Sequence, residues 1–313
     1  MPAVCITIRN LSVILYTKRN LKAKLIRQPT FEVPLMPISR RYFLTGASAL
    51  LATIASSRTF ASATRPLNPK KGIGGAAPLK SGLLTAWYYD WGINPATRGM
   101  PAVNPPMRFL PMVWGWNPSK TPAVLKSLHA QHPSILLGFN EPDRRDQSDI
   151  PVKVALDAWP QFEGIATELV SPAAANAHGP WMQEFMNGIH KRKLRIDSIA
   201  FHNYPGPNPE GFLHSLYTLY QMYELPIWVT EFAVADWQAK HGAANRYTVR
   251  QTAEFMKTVC TEMDKLPWIK GYAWFPVAGD KKAEAEGSHA LATSVLFDAK
   301  GNLTPLGEIY NSL

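Results

Sequence analysis

Short apolar runs alternate along most of this chain with stretches whose apolar residues recur at helical spacing. The runs are Leu83–Tyr89, Phe109–Trp114, Ile135–Phe139, Leu169–Ser171, Ile199–His202, Ile227–Thr230 and Tyr272–Phe275. Continuous apolar character over so few residues predicts strands buried on both faces. Between them, Thr121-Pro122 gives an N-cap and first-turn pair ahead of Val124, Leu125 and Leu128. Trp181, Phe185, Met186 and Ile189 share one helical face, as do Leu213, Leu216, Tyr217 and Tyr220, and then Val249, Phe255, Met256, Val259 and Met263. Strand and helix alternating over one long stretch predict an α/β fold with a parallel sheet and helices outside it. No glycine-rich phosphate loop favours an open doubly wound sheet over a barrel.

Polar and aromatic residues gather where these strands end. Tyr88-Tyr89-Asp90-Trp91 follows the first, Trp114-Gly115-Trp116 the second and Asn140-Glu141-Pro142-Asp143 the third. His202-Asn203-Tyr204, Glu231-Phe232 and Trp274-Phe275-Pro276 close later ones. In barrels the reacting groups come from the C-terminal ends of different strands. Two of these ends carry a glutamate directly after an apolar run, Glu141 and Glu231. Glycosidic cleavage needs such a pair, one to protonate the departing oxygen and one to meet the oxocarbenium-like carbon from the other face. His202 and Tyr204 are candidates to bond substrate or hold Glu231. Tyr89, Trp91, Trp114 and Trp274, at or just past strand ends, are candidate sugar-facing aromatics. Asp143 and Asp146 read as solvated loop acids.

The motifs Gly-Phe-Asn-Glu-Pro-Asp (138–143), Trp-Val-Thr-Glu-Phe-Ala (228–233) and Tyr-Ala-Trp-Phe (272–275) carry a resemblance. Together with Tyr-Asp-Trp-Gly (89–92) and Leu-Thr-Pro-Leu-Gly (303–307), they make the chain resemble glycoside hydrolase family 128 from about Leu83 to Tyr310. The resemblance implies a (β/α)8 TIM-type barrel and endo-hydrolysis of β-1,3-glucan by a retaining double displacement. It further implies Glu141 as acid/base, Glu231 as nucleophile and Asn140 as a partner of the sugar 2-hydroxyl. By the count of strands above, the two glutamates follow the third and sixth. The similar clan places them after the fourth and seventh, so the offset of three is kept and either a short strand is uncounted or the barrel is irregular. Asn203 stands where many relatives carry an aromatic residue, which bears on substrate preference. The alternatives are a β-1,4-glucan or mannan hydrolase and a non-catalytic glucan-binding protein.

Charge changes the picture only once it is located. The chain has 33 Lys and Arg against 23 Asp and Glu, a formal +10. Nine of those cations lie in residues 1–63, where Glu32 is the one acid. The rest is close to neutral, so neither a nucleic-acid partner nor a membrane surface is expected for the mature domain. Residues 1–63 read as a leader whose 39–63 segment resembles a twin-arginine export signal. Ser39-Arg40-Arg41-Tyr42-Phe43-Leu44 comes first, then a small-residue apolar run to Ser56, then Ala61-Ser62-Ala63 as the cleavage site. Met36 is a candidate start, and the expected location is periplasmic or extracellular. Residues 64–81, rich in Pro, Gly and Lys, read as a linker, and 82–313 as one catalytic domain, a monomer whose partner is a polysaccharide. Cys5 falls in the leader, leaving Cys260 as a buried core residue with no disulfide mate. Eight histidines show no metal-binding spacing, so no metal and no cofactor are expected.

Overall fold

In the computed structural model, residues 67–75, 82–95, 107–239, 242–275 and 289–313 are described. The leader, with its arginine pair and cleavage site, lies outside them. Among the described residues, eight short strands all pair in parallel: β1 (Lys71–Gly74), β2 (Trp87–Tyr89), β3 (Arg108–Phe109), β4 (Ile135–Leu136), β5 (Glu168–Leu169), β6 (Ile199–Asn203), β7 (Ile227–Phe232) and β8 (Ile269–Trp274). Six form a sheet in the order β3-β2-β1-β8-β7-β6, and β4 pairs with β5. The two ladders do not join in one continuous ring. At the seams, single parallel bridges connect Met112 to Leu137 and Val170 to Ser198. The architecture is α/β, of the irregular (β/α)8 kind.

The segment expected to be a linker contains β1, at the middle of the larger sheet. This strand corrects the count, because Glu141 now follows β4 and Glu231 lies in β7. Its sequence, Lys-Gly-Ile-Gly, hides the strand for a steric reason. A Cβ on Gly72 would come within 2.2 Å of the Trp87 ring, and one on Gly271 of β8 within 2.4 Å of Trp228. The two indoles meet edge to face at 5.1 Å on the inner face of the larger sheet. The glycines vacate the room these rings occupy, and overfilling such a core costs about 1–3 kcal/mol.

Two apolar layers follow from strand alternation. Trp87, Tyr89, Leu110, Met112, Leu137, Val170, Ala200, Trp228 and Ala273 form the inner one. Ile73, Tyr88, Phe201, Val229 and Trp274 face the other way, into the layer shared with the helices. Those helices are α1 (Thr121–Gln131), α2 (Val152–Ala158), α3 (Pro180–Arg192), α4 (Pro209–Tyr223), α5 (Val249–Lys265) and α6 (Pro305–Ser312).

Helix ends mostly follow local chemistry. Asn208 caps α4, Thr248 and Gln251 form a reciprocal capping box on α5, and Thr304 caps α6. Thr121 is the first residue of α1 rather than its cap, which is Lys120. The buried stripe of α4 is Phe212, Leu216 and Leu219, so Tyr217 points outward, half exposed. Cys260 is buried on α5, and burial pushes its thiol pKa up. Lys71 and Tyr310 lock the last helix to β1, through Lys71 Nζ on Tyr310 O at 2.9 Å and Tyr310 OH on Gly72 O at 2.7 Å. No helix among the described residues is long and apolar enough to cross a membrane.

Candidate active site

Glu231 reaches the site through a fault in its strand. Trp228 faces inward and Val229 outward, so plain alternation would send residue 231 outward too. The pairing shifts, however. Phe201 sits opposite Val229 while His202 sits opposite Glu231, and on the other side Tyr272 and Trp274 face Val229 and Phe232. Thr230 is thus an extra residue in β7, a bulge that turns Glu231 back to the inner face. Its carboxylate is 5% exposed as part of the residue and is surrounded by donors. Tyr89 OH donates to Oε1 at 2.8 Å, Trp91 Nε1 to Oε1 at 3.1 Å, and Tyr204 OH to Oε2 at 2.5 Å. Burial first, and then the Glu231 charge, pushes both phenol pKa values far up, so both remain protonated donors.

Glu141 is set by the backbone beyond β4. Its amide donates to Ala173 O at 2.8 Å, and its φ of +41° lies in the left-handed region that non-glycine residues seldom occupy. Trp91 shares that conformation at φ +60°. A non-glycine residue held there costs about 1–3 kcal/mol and persists where the surrounding structure fixes it. Asp143 anchors the loop by accepting the amides of Ala175 and Asn176, at 2.7 and 3.0 Å, a structural role where a solvated acid was expected. Arg144 Nε stands 3.7 Å from Glu141 Oε2.

His202 lies between the two acids, 3.1 Å from Glu141 Oε1 and 3.5 Å from Glu231 Oε2, both through Nδ1. Burial alone would lower the imidazole pKa. The charge of Glu231 and the hydrogen bond and charge of Glu141 outweigh it, and the net direction is up. Its Nε2 is a buried atom without a hydrogen-bond partner among the described residues, as is Asn140 Oδ1, while Asn140 Nδ2 donates to Gln147 Oε1 at 3.3 Å.

One ligand-type atom each from Glu141, His202 and Glu231 lie within 4.8 Å of one another. Such a trio has the donor types of a metal site. The phenol and indole protons already aimed at Glu231 make this surrounding one for an anion, since a cation would have to compete with three donors for the same two oxygens.

The predicted residues therefore divide. Tyr89, Trp91, Asn140, Glu141, His202, Tyr204 and Glu231 come together. Trp114 stands at the rim, 40% exposed, its carbonyl accepting the Asn140 amide at 2.9 Å. Trp274 does not join them. It is fully buried on the helix-facing side, its indole donating to Ser294 O at 3.0 Å and its ring 5.0 Å from that of Phe232. Strand alternation is the reason, because Ala273 takes the inward position and Trp274 the outward one. Phe275, one step on, is the aromatic that reaches the site, 6.0 Å from the Trp91 ring and 5.6 Å from that of Tyr204. Counting inward positions along β8 could have found it.

Comparison with known proteins agrees with this geometry. The family model described as glycosyl hydrolase catalytic core matches residues 74–310. A family 128 subgroup I endo-β-1,3-glucanase from Amycolatopsis mediterranei, solved with laminaritriose and laminaribiose, is similar at TM-score 0.64 and 28% identity, covering 78% of this chain and 99% of that one. A subgroup V exo-β-1,3-glucanase from Cryptococcus neoformans is similar at TM-score 0.61 and 26% identity, over 77% and 97% of the two chains. Alkali-sensitive linkage protein 1 of Schizosaccharomyces pombe is 30% identical over 188 residues, 57% of this chain; the match spans 33% of that relative's length. With a fourth-strand and a seventh-strand glutamate facing one histidine, and a family match running from β1 into α6, the chain belongs to the glycosyl hydrolase catalytic core family and is a glycoside hydrolase resembling the β-1,3-glucanases of family 128.

Proposed function

We propose that this protein cleaves β-1,3-glucan with retention of anomeric configuration, Glu231 acting as nucleophile and Glu141 as acid/base. The observation that carries the reading is the closeness of the two carboxylates, with one oxygen of each inside a group spanning 4.8 Å. Retaining enzymes hold their carboxyl groups about 5–5.5 Å apart, whereas inverting ones leave about 6.5–9.5 Å for a water molecule. The substrate linkage is supported by the β-1,3-glucanases that the chain resembles.

In the first step a Glu231 oxygen bonds the anomeric carbon while the glycosidic C–O bond breaks, and the Glu141 proton goes to the departing glucan oxygen. Tyr89, Trp91 and Tyr204 hold the attacking carboxylate in place and release nothing. In the second step Glu141, now ionised, takes a proton from water as its oxygen bonds the same carbon, and Glu231 leaves as a carboxylate. Asn140 bonds the 2-hydroxyl. Export through the Arg40-Arg41 segment belongs to the same reading, and a mature chain starting at Thr64 in mass spectrometry would support it.

Reducing ends should appear when the protein is given laminarin, and not at comparable rates with β-1,4-glucan or mannan. Proton NMR during the first minutes should show the β-anomer ahead of the mutarotated mixture. The α-anomer appearing first would replace retention by inversion, and faster release from β-1,4-glucan would replace the linkage. Tyr204→Phe removes a hydrogen bond to a charged oxygen, an interaction of about 1.5–3 kcal/mol, so turnover should fall roughly 10- to 100-fold with little change in KM. A KM effect with full kcat would place Tyr204 on substrate alone.

A further inference from the structure

Past the bulge of β7 the chain enters a loop whose two ends meet on one buried acid. Asp236 is 1% exposed and accepts from Arg246 N, Nε and Nη2 at 2.8, 2.9 and 2.6 Å and from Gln238 N at 3.1 Å. The Arg246 hydrogen bonds hold its carboxyl well below the usual carboxylate range. A guanidinium fork on a carboxylate fixes direction as well as distance, so the two ends of the loop keep one relative placement. A second set of bonds ties the loop to residues 289–294. Asp236 N donates to Ala290 O at 2.8 Å, Asn245 Nδ2 to His289 O at 2.9 Å and Ser294 Oγ to Val234 O at 2.7 Å.

The neighbours of this pair converge on the three residues that follow β6. Ala235 and Trp237 flank Asp236, and Ala235 N donates to Pro205 O at 2.8 Å while Trp237 Nε1 donates to Tyr204 O at 3.0 Å. Tyr247 follows Arg246, whose guanidinium stands 5.5 Å over its ring. The Tyr247 hydroxyl closes on Gly206, where a Cβ would come within 2.7 Å of it. Tyr204, Pro205 and Gly206 are thus gripped in succession, twice through carbonyl oxygens and once through an approach that only glycine leaves room for. At the head of the gripped stretch is the residue whose hydroxyl donates to Glu231 Oε2. A backbone displacement of about 1 Å would carry that hydroxyl to the edge of hydrogen-bond range.

We infer that Asp236 and Arg246 are positioning residues for the hydrolysis, their ion pair setting the grip that keeps the Tyr204 hydroxyl on Glu231. They act through the Tyr204 main chain, since the side chains that donate to the Glu231 carboxylate are Tyr89, Trp91 and Tyr204. This role rests on the hydrolase reading above.

Arg246→Ala and Tyr204→Phe should be compared with the unaltered protein, singly and combined, on laminarin. Alone, Arg246→Ala should lower kcat about three- to tenfold, a part of the loss expected when the Tyr204 hydroxyl is removed outright, with KM within about twofold. In the Tyr204→Phe background the same change should cost less than about twofold, because the bond it works through is already gone. Unchanged kcat would overturn the role. So would an equal loss in both backgrounds, which a general weakening of the fold produces, or a raised KM at constant kcat. If Arg246→Ala does not fold, Arg246→Lys keeps a cation against Asp236 without the fork and should show the same non-additivity at smaller amplitude. If the unaltered protein fails to cleave laminarin, the hydrolase reading falls instead. Proton exchange at the Trp237 indole, followed by NMR, then still reports the grip, slow in the unaltered protein and at least about tenfold faster in Arg246→Ala. Equal exchange in the two would overturn it.

Discussion

Glu231→Ala should lower turnover of β-1,3-glucan by at least about 10⁴-fold, on the scale seen when a catalytic nucleophile is removed, while folding is retained. The carboxylate is the group that the site is arranged around. Tyr89, Trp91 and Tyr204 all donate to it; both phenols stay protonated and the indole carries no oxygen, so none of them attacks in its place. Removing the side chain leaves an anion-shaped space lined by three donors. Azide fits that space by size and charge, so a β-glycoside of dinitrophenol with azide present should be consumed again. The azide nitrogen bonds the anomeric carbon as dinitrophenolate departs, and the product is the α-glycosyl azide because only one inversion has occurred. NMR of that product is the measurement. Residual turnover within tenfold of the unaltered protein would remove Glu231 from the nucleophile role.

How much of this was legible without coordinates depends on what each signal measures. The two glutamates were readable because a carboxylate after an apolar run breaks a pattern, and two such breaks followed by matching motifs reinforce each other. The first strand was not readable. Its inward positions are Gly72 and Gly74, small because Trp87 and Tyr89 fill the space above them, so a buried strand carried one apolar residue, Ile73. Apolar periodicity records what a strand contributes to the core and is blind to a strand that contributes room. Trp274 failed for a different reason. Its place at a strand end was right, but which face it takes depends on parity, and counting along β8 puts Ala273 inward and Trp274 outward. Counting fails for β7, whose bulge has no sequence signature. The same bulge carries Glu231 inward. The leader falls outside the described residues, and its reading stands on sequence alone.

Glu141→Ala should separate substrates by their leaving groups. In the proposed mechanism the carboxyl, which shares His202 Nδ1 with Glu231, takes no part in forming the covalent bond, so its proton matters only where the departing oxygen is too basic to leave unaided. On laminarin the loss should be about 10²- to 10⁴-fold, the range for removing general acid catalysis. A dinitrophenyl glycoside leaves without that help. Its first step should stay near the unaltered rate, with a burst of dinitrophenolate followed by slow release of sugar as water attacks the glycosyl-enzyme without a base. Azide needs no base, so it should accelerate that second step and give the β-glycosyl azide, two inversions having occurred. The pair of variants then assigns the roles by product configuration, α from Glu231→Ala and β from Glu141→Ala. The same anomer from both, or equal losses on both leaving groups, would reverse or dissolve the assignment. Arg144, 3.7 Å from Glu141 and paired with Asp146 on the same loop, places its charge on the Glu141 side of the site. A result of that form could come only from two carboxylates doing different work on one anomeric carbon.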